Sequence, residues 1–248
     1  MFGKRSVGGK HGKPINENLY YIAESPMLDC NIYVLKDKDD KLCIIDTGNG
    51  RSMDPTIEAL TKLNLNPKNI TTVLITHEHL DHVLGLYALV DMLGKDSIEI
   101  YAHPLTAKIL REGNEEKIAP RSLGISAANF GVEISKLDVE DLNMAKTFSF
   151  GEFEFKMYDT PGHSEGSVSF YDPSHKLLFP GDVVFPQGSF GRYDFPGGDL
   201  SILQKSVGKL NELKVDNLCA GHMPPVIGSA NKSIARSYKN IRSIGSYF

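Results

Sequence analysis

Residues 76–82 read Thr-His-Glu-His-Leu-Asp-His and place four metal-binding side chains within a short segment. His77 and His79 follow an apolar run, and residues two apart in extended backbone point to the same side. Both imidazoles can therefore face one metal ion. Asp81 and His82 come where the chain is expected to turn into a helix, which aims them at a second ion. Imidazole and carboxylate together suit zinc, iron or manganese.

Three more candidate ligands each follow a predicted strand. His163 lies in Asp-Thr-Pro-Gly-His-Ser, Asp182 in Pro-Gly-Asp, and His222 in Ala-Gly-His. The ends of strands are where α/β proteins build their sites. Two metal ions about 3.5–4 Å apart need a ligand that reaches both, and a bridging carboxylate fits that geometry. Asp182 is the natural candidate for the bridge.

The other histidines fit no ligand position in this pattern. His103 precedes a proline, His175 lies in a turn, and His11 lies near the N-terminus. A single histidine is more often a hydrogen-bonded structural residue than a metal ligand. We therefore interpret His103 and His175 as structural or surface residues.

Short strands must position the candidate ligands. The predicted strands span residues 31–35, 42–45, 72–75, 152–158, 167–171 and 176–179. The first two flank a charged turn and form a hairpin, whereas the third is β-branched and apolar, as buried strands are. In the fourth, Phe153, Phe155 and Met157 alternate with polar residues and define one face.

Helices are interleaved with these strands. An Asp-Pro pair at residues 54–55 begins one helix, residues 80–93 form another, and Asp199 caps a third. The last segment places Ile234 and Ile241 on one helical face. Mixed strand pairs with intervening helices favour an α+β or α/β fold in which packed sheets are covered by helices. Residues 112–146 are interpreted as a short helical insertion or lid.

The composition indicates an ordinary globular enzyme. With 248 residues and 41% hydrophobic content, the chain can bury one large core. We predict a flexible tail at residues 1–16 and one domain at 17–248. A net charge of −4 without an extended basic stretch makes nucleic acid an unexpected partner. Neither a signal peptide nor a membrane span is evident, and the expected location is the cytoplasm. A homo-oligomer is compatible with the sequence.

From about residue 20 onward, these motifs resemble the metallo-β-lactamase superfamily, in particular its glyoxalase II-like branch. The resemblance implies a four-layer αββα sandwich and two divalent metal ions, most simply zinc, with iron or manganese as alternatives. It implies that one ion is held by His77, His79 and His163. It implies that the other is held by Asp81, His82 and His222, and that Asp182 bridges the two. Asp46, in Asp46-Thr47-Gly48, resembles the aspartate that steadies the ligand loop.

Two further features concern the reaction. The commonest β-lactamases of the superfamily have cysteine where this chain has Asp182, which disfavours antibiotic hydrolysis. Residues 190–199 resemble the Gly-Arg-x-Asp loop of glyoxalase II-like hydrolases and persulfide dioxygenases, with Arg192 and Tyr193 as substrate or structural contacts. Only 26 residues follow His222, whereas glyoxalase II has a larger helical domain that grips glutathione. The basic side chains Lys232, Arg236 and Lys239 are expected to form a solvated helix face.

The expected reaction is hydrolysis of a thioester or related ester of a small molecule by a hydroxide that bridges the metals. Asp81 would be both a ligand and the catalytic group that orients the nucleophile or shuttles its proton. One alternative is a persulfide dioxygenase with a single iron held by His77, His163 and Asp182. Lactone hydrolysis and phosphodiester cleavage are further alternatives. A role without catalysis is disfavoured because no ligand is missing from the set.

Overall fold

The computed structural model describes residues 10–51 and 53–244, and within them the chain forms two β-sheets. The first sheet has seven strands that pair in chain order. They are β1 (Gly12–Pro14), β2 (Leu19–Ile22), β3 (Ile32–Lys36), β4 (Leu42–Ile45), β5 (Ile70–Ile75), β6 (Glu99–Ala102) and β7 (Glu140–Asp141). The pairs from β1 to β4 are antiparallel, and those from β4 to β7 are parallel.

The second sheet has five strands in the described part of the chain, again paired in chain order. They are β8 (Thr147–Phe150), β9 (Phe153–Asp159), β10 (Val168–Asp172), β11 (Leu177–Phe179) and β12 (Asn217–Leu218). All pairs are antiparallel except β11 with β12. The strands predicted from the hydrophobic pattern are confirmed, each within a residue or two at its ends.

Seven α-helices occur in the described ranges. They are α1 (Met53–Lys62), α2 (Leu80–Val83), α3 (Gly85–Leu93), α4 (Pro104–Glu112), α5 (Glu115–Ile118), α6 (Leu200–Asn211) and α7 (Asn231–Ser243). The predicted cap of α6 is present, since the Asp199 carboxylate accepts a hydrogen bond from the Ile202 backbone N–H at 2.9 Å. None of the helices in residues 10–51 and 53–244 is long and apolar enough to cross a bilayer.

The period-two pattern of the strands divides the core into layers. In β3, Tyr33 and Leu35 belong to the cluster between the sheets, whereas Ile32 and Val34 belong to the cluster beneath the helices of the first sheet. Phe153 and Phe155, the alternating face predicted for β9, meet the first sheet from the other side.

The outer faces of the two sheets are covered by different helices. Buried residues of α1, α3 and α4 pack on the first sheet, and buried residues of α6 and α7 pack on the second. The order is therefore helices, sheet, sheet, helices. This confirms the predicted four-layer αββα sandwich.

The predicted N-terminal tail is too long. Gly12–Pro14 pair with β2, and the Lys10 side chain is buried with its ammonium 2.8 Å from the Asp29 carboxylate. Sequence reasoning missed this because a three-residue edge strand rich in glycine and proline carries almost no strand signal. Residues 1–9, the rest of the predicted tail, lie outside the described residues.

Residues 112–146 form the predicted helical insertion. After α5 come two short 3₁₀ turns, Arg121–Leu123 and Ala127–Phe130, and then β7 near the end of the segment. Ile118, Ala127 and Phe130 are buried against the core beneath the helices of the first sheet. The insertion is therefore anchored in the core.

Candidate metal centre

Each predicted ligand follows the end of a strand. His77 and His79 lie just past β5, while Asp81 and His82 lie in α2, which begins one residue after His79. His163 follows β9. In the same way, Asp182 follows β11 and His222 follows β12, and these two strands are parallel neighbours. The structure thus brings all the predicted ligands to one edge of the paired sheets.

The ligand atoms of the first predicted set lie close together. One ligand atom each from His77, His79 and His163 lies within 4.8 Å of the other two. The Nδ1 atom of His79 lies 2.9 Å from Nε2 of His163. His77 and His163 are almost completely buried. This cluster is compact enough to surround one ion.

The ligand atoms of the second predicted set also lie close together. One ligand atom each from Asp81, His82 and His222 lies within 4.8 Å of the other two. Asp182 touches both sets, because its Oδ2 lies 3.6 Å from Nε2 of His163 and 3.0 Å from Nε2 of His222. Its Oδ1 lies 3.4 Å from Nε2 of His82. Asp182 therefore occupies the position expected of a bridge.

Buried atoms without hydrogen bonds test whether a metal fits here. Among the described residues, the Nε2 atoms of His77 and His82 and the Oδ1 atom of Asp182 are buried without a hydrogen-bond partner. Leaving such a group unsatisfied costs about 1–3 kcal/mol. The three atoms belong to neighbouring side chains, and all are types that bind divalent metals. The donor set therefore fits a pair of divalent ions.

Asp46 accepts hydrogen bonds that hold the loop after β5 in place. Its Oδ1 accepts a hydrogen bond from the Thr76 backbone N–H, and its Oδ2 accepts one from the Thr76 hydroxyl, both at 2.8 Å. The same Oδ2 lies 2.8 Å from Nδ1 of His82, so this nitrogen carries the hydrogen. The Nε2 lone pair of His82 consequently faces the centre. The supporting role predicted for Asp46 agrees with these contacts.

Two other histidines are oriented in the same way. Nδ1 of His163 donates to the backbone carbonyl of Arg192 at 2.7 Å. Nδ1 of His222 donates to Oε2 of Glu24 at 2.7 Å, and Oε1 of Glu24 accepts from the Met223 backbone N–H at 2.9 Å. Sequence reasoning missed Glu24. It lies in an irregular loop 198 positions before His222, and no local pattern joins the two.

Burial and charge act differently on the two sets of histidines. Burial, helped by the neighbouring histidines, lowers the pKa of His163 to about 4 and that of His77 well below its usual range. Burial also acts to lower the pKa of His222, but the carboxylates of Asp182 and Asp81 outweigh it and raise the pKa. Conversely, burial acts to raise the pKa of Asp81, but His82 and His222 lower it to about 2.

Glycines allow the backbone to approach these side chains. A Cβ atom on Gly221 would lie 2.2 Å from Oδ1 of Asp182 and 2.8 Å from Cε1 of His82. A Cβ atom on Gly191 would lie 1.9 Å from the Asp182 carbonyl oxygen. Real Cβ contacts are not this short, so only glycine fits at either position without displacing the centre.

The centre opens into a cleft of about 780 Å³. The floor of the cleft includes His79, Asp81, His163, Asp182 and His222. The walls come from the loop between β2 and β3, from the insertion, and from the segment between β11 and α6. A cavity of this size is ample for a small molecule.

Of the two predicted substrate contacts, one lies at the cleft. Arg192 lines it, with its guanidinium bound to the Asp194 carboxylate through contacts of 2.9 and 2.6 Å. Tyr193 instead packs against the core beneath α6 and α7 and lies outside the described lining. The two side chains therefore lie in different surroundings, and only Arg192 is placed to meet a substrate in the cleft.

The remaining histidines behave as predicted. Nδ1 of His103 accepts from the Leu105 backbone N–H and caps α4. Nδ1 of His175 lies 2.8 Å from Oδ2 of Asp172. The basic residues Lys232, Arg236 and Lys239 are exposed on α7, as expected for a solvated helix face.

Comparison with known proteins agrees with this architecture. The model of the family described as the metallo-beta-lactamase superfamily matches residues 26–222. The hydroxyacylglutathione hydrolase GloC of Haemophilus influenzae is 31% identical over 197 residues, which cover 77% of this chain and 84% of that protein.

Two solved structures are similar in both fold and sequence. The BLEG-1 B3 metallo-beta-lactamase is 30% identical with a TM-score of 0.69, over 86% of this chain and 95% of that one. TTHA1623, crystallised in a di-iron-bound form, is 28% identical with a TM-score of 0.66, over 85% of this chain and 96% of that one. The family match, these relatives and the αββα fold lead to one conclusion: the chain belongs to the metallo-β-lactamase superfamily of metal-dependent hydrolases.

Proposed function

We propose that this enzyme hydrolyses a thioester or related ester of a small molecule, using two divalent metal ions, with zinc as the expected metal. The observation that carries the proposal is the position of the Asp182 carboxylate, within 3.6 Å of a histidine of each ligand set. The similarity to a hydroxyacylglutathione hydrolase supports thioester chemistry in particular.

In this proposal the ligand sets divide as the sequence predicts. His77, His79 and His163 would hold one ion, Asp81, His82 and His222 would hold the other, and Asp182 lies between the two sets. Bound ions of this kind lower the pKa of water to near 7 and polarise the substrate carbonyl. Asp46, Glu24 and the Arg192 carbonyl fix the orientation of the rings, which keeps the ligand atoms directed at the centre.

Asp81 is the proposed catalytic group. It lines the cleft, and its Oδ2 lies 3.4 Å from Nε2 of His222. A carboxylate with its pKa lowered to about 2 is ionised at neutral pH. It can accept a hydrogen bond from the attacking water and so orient it, and the departing thiolate or alkoxide takes up the proton that the water releases.

The first experiment combines metal analysis with a substrate panel. The protein is purified without added metal, its zinc, iron and manganese are quantified, and it is assayed on a thioester, a lactone, a phosphodiester and a β-lactam. A β-lactam belongs in the panel because the BLEG-1 relative is titled a β-lactamase. About two metal ions per chain with thioester turnover supports the proposal. Turnover confined to another substrate overturns it.

The dioxygenase alternative is tested on the same preparation. The di-iron form of TTHA1623 makes iron a realistic occupant of a related site. One iron per chain, together with oxygen uptake that depends on a persulfide, would replace hydrolysis by sulfur oxidation. Iron at two per chain with thioester turnover would change only the metal.

A variant tests the bridge directly. Asp182→Ala is expected to lose metal loading and at least about a hundredfold in activity, since Asp182 contacts both ligand sets. Asp216→Ala is the matched control, because Asp216 is an exposed partner of Lys176 on the surface. Full activity in Asp182→Ala would contradict the assignment of the bridge.

A further inference from the structure

The walls of the cleft are mainly apolar. Leu28 comes from the loop between β2 and β3, Leu123 and Ile125 come from the insertion, and Phe185 and Phe190 come from the segment after β11. Leu28 is 54% exposed even though it is a large aliphatic residue. Three separate segments thus present apolar side chains to one space.

The charged groups at the cleft already have partners. Among the described residues that line the cleft, Arg192 is the one lysine or arginine. Its guanidinium binds Asp194 in a bidentate pair and lies 4.0 Å from the ring centroid of Phe195. Glu24 binds His222, and Asp29 binds Lys10. An anionic group in the cleft would meet these carboxylates and would compete with Asp194 for Arg192.

We infer that the part of the substrate next to the scissile bond is an uncharged, apolar chain, and that its carrier is not a charged thiol such as glutathione. This inference rests on the proposed function for the bond that is broken. The apolar walls would remove such a chain from water, and the partnered charges would offer little to a carboxylate. The enzyme would therefore differ in substrate from the hydroxyacylglutathione hydrolase to which it is similar.

Binding of uncleavable ligands tests the inference without catalysis. S-methyl-N-acetylcysteamine, S-octyl-N-acetylcysteamine and S-octylglutathione, which the enzyme cannot cleave, are titrated by calorimetry into the intact protein with its metal retained. Each fully buried methylene strengthens binding by up to about fourfold, so the octyl form is expected to bind at least about tenfold more tightly than the methyl form. S-octylglutathione is expected to bind more weakly than S-octyl-N-acetylcysteamine. Equal binding of methyl and octyl forms, or a preference for glutathione, overturns the inference.

Variants locate the binding surface. Ile125→Ser and Leu28→Ser are expected to reduce the advantage of the octyl group severalfold. Leu28 is 54% exposed, whereas Ile125 is half-buried against the core, so thermal unfolding of both variants is measured alongside binding. Ile227→Ser is the control, because Ile227 is 50% exposed and lies outside the described lining. Ile125→Lys should improve binding of S-octylglutathione relative to the uncharged ligand. An unchanged octyl advantage in both cleft variants would also overturn the inference.

Turnover separates this inference from the proposed function. The zinc-loaded enzyme is assayed on octanoyl and acetyl thioesters of N-acetylcysteamine and on a hydroxyacylglutathione thioester. Faster turnover of the octanoyl thioester supports both proposals, whereas preference for the glutathione thioester overturns the apolar substrate alone. If no ester or thioester is hydrolysed while the octyl ligand still binds, the proposed function fails and the apolar cleft stands.

Discussion

Four of the five histidines of the centre are held through the nitrogen that faces away from it. His82 donates to a carboxylate, His163 to a backbone carbonyl, and His222 to Glu24. His77 is held too, because its Nδ1 lies 3.0 Å from the Thr76 hydroxyl, which itself donates to Asp46. Each contact selects the tautomer whose other lone pair points inward. The protein's own hydrogen bonds therefore orient these rings toward the centre.

Glu24 is the contact most open to a selective test. Glu24→Ala removes the acceptor of His222 Nδ1, so the affinity for the second metal ion should fall by about 10–100-fold. Metal titration of the chelated protein measures this change. Glu24→Gln keeps an acceptor oxygen and should recover part of the affinity, whereas a purely structural role would not distinguish Ala from Gln. Glu17→Ala, at an exposed glutamate, is the control.

The sequence allowed the ligands to be predicted but not all the residues that hold them. His77 and His79 were predictable because their spacing after a strand is local, and Asp182 because it follows a strand and a glycine. The partner of His222 is set by tertiary packing across most of the chain, for which one sequence contains no signal. The role of Arg192 was predicted for its side chain, whereas its clearest contact with the centre is through its carbonyl oxygen.

At the scale of elements, the turn after β12 must pass close to the turn after β11. The Gly221 backbone N–H donates to the Gly181 carbonyl at 2.9 Å, and Gly221 itself lies against Asp182 and His82. Parallel pairing of β11 with β12 brings the two turns side by side. The sequence predicted both turns, and the resemblance implied that Asp182 and His222 approach the same ion, but the hydrogen bond between Gly221 and Gly181 was not predicted.

Gly221→Ala should therefore damage the centre more than the fold. The added Cβ would lie 2.2 Å from Oδ1 of Asp182, so the carboxylate or the turn must move. A displacement near 1 Å can reduce activity about a hundredfold. Activity and thermal unfolding measured together check this expectation. Gly208→Ala in α6 is the control, since its Cβ would lie 3.2 Å from a flexible tyrosine ring. Equal activities of the two variants would contradict it.

The segment before β1 is a second part of the chain whose role was not predicted from the sequence. Lys10 and Asp29 form an ion pair whose side chains are about 1% exposed or less. Asp29 also accepts from the Ser25 backbone N–H at 2.8 Å. The pair therefore ties the segment before β1 to the loop that bears Glu24 and Leu28, two residues of the cleft.

Lys10→Met should lower the free energy of unfolding by about 3 kcal/mol, because it removes the Lys10 ammonium from its buried ion pair with the Asp29 carboxylate. The Ser25 and Asn49 backbone N–H groups still donate to Asp29, which keeps the loss at the lower end of the usual range. Denaturant unfolding measures the change. Lys62→Met removes an exposed pair with Glu58 and should cost less than about 1 kcal/mol. Similar losses in the two variants would show that the buried pair contributes little.

At the scale of the molecule, two sheets of different topology present their strand ends at one edge. The first sheet supplies His77 and His79 with Asp46 from parallel strands β4 and β5, and the second supplies His163, Asp182 and His222. Packed sheets covered by helices were predictable from the mixed pattern of strands and helices, whereas the four-layer αββα order was implied by the family resemblance. The shape of the cleft was not predictable, because the insertion's short turns are fixed by contacts with distant residues.

Because ligands from both sheets converge, bound metal should stabilise the whole molecule. The buried ligand atoms without hydrogen bonds would gain partners in the loaded protein and lose them in the chelated one. Metal at a thousand times its dissociation constant contributes about 4 kcal/mol, which corresponds to a melting temperature higher by roughly 10 °C for a chain of this size. Calorimetry before and after chelation, followed by addition of zinc, iron or manganese, measures the effect and ranks the metals. Asp182→Ala should respond little to the chelator. A wild-type melting temperature that stays constant while elemental analysis shows complete loss of metal would mean that the ions do not link the two sheets.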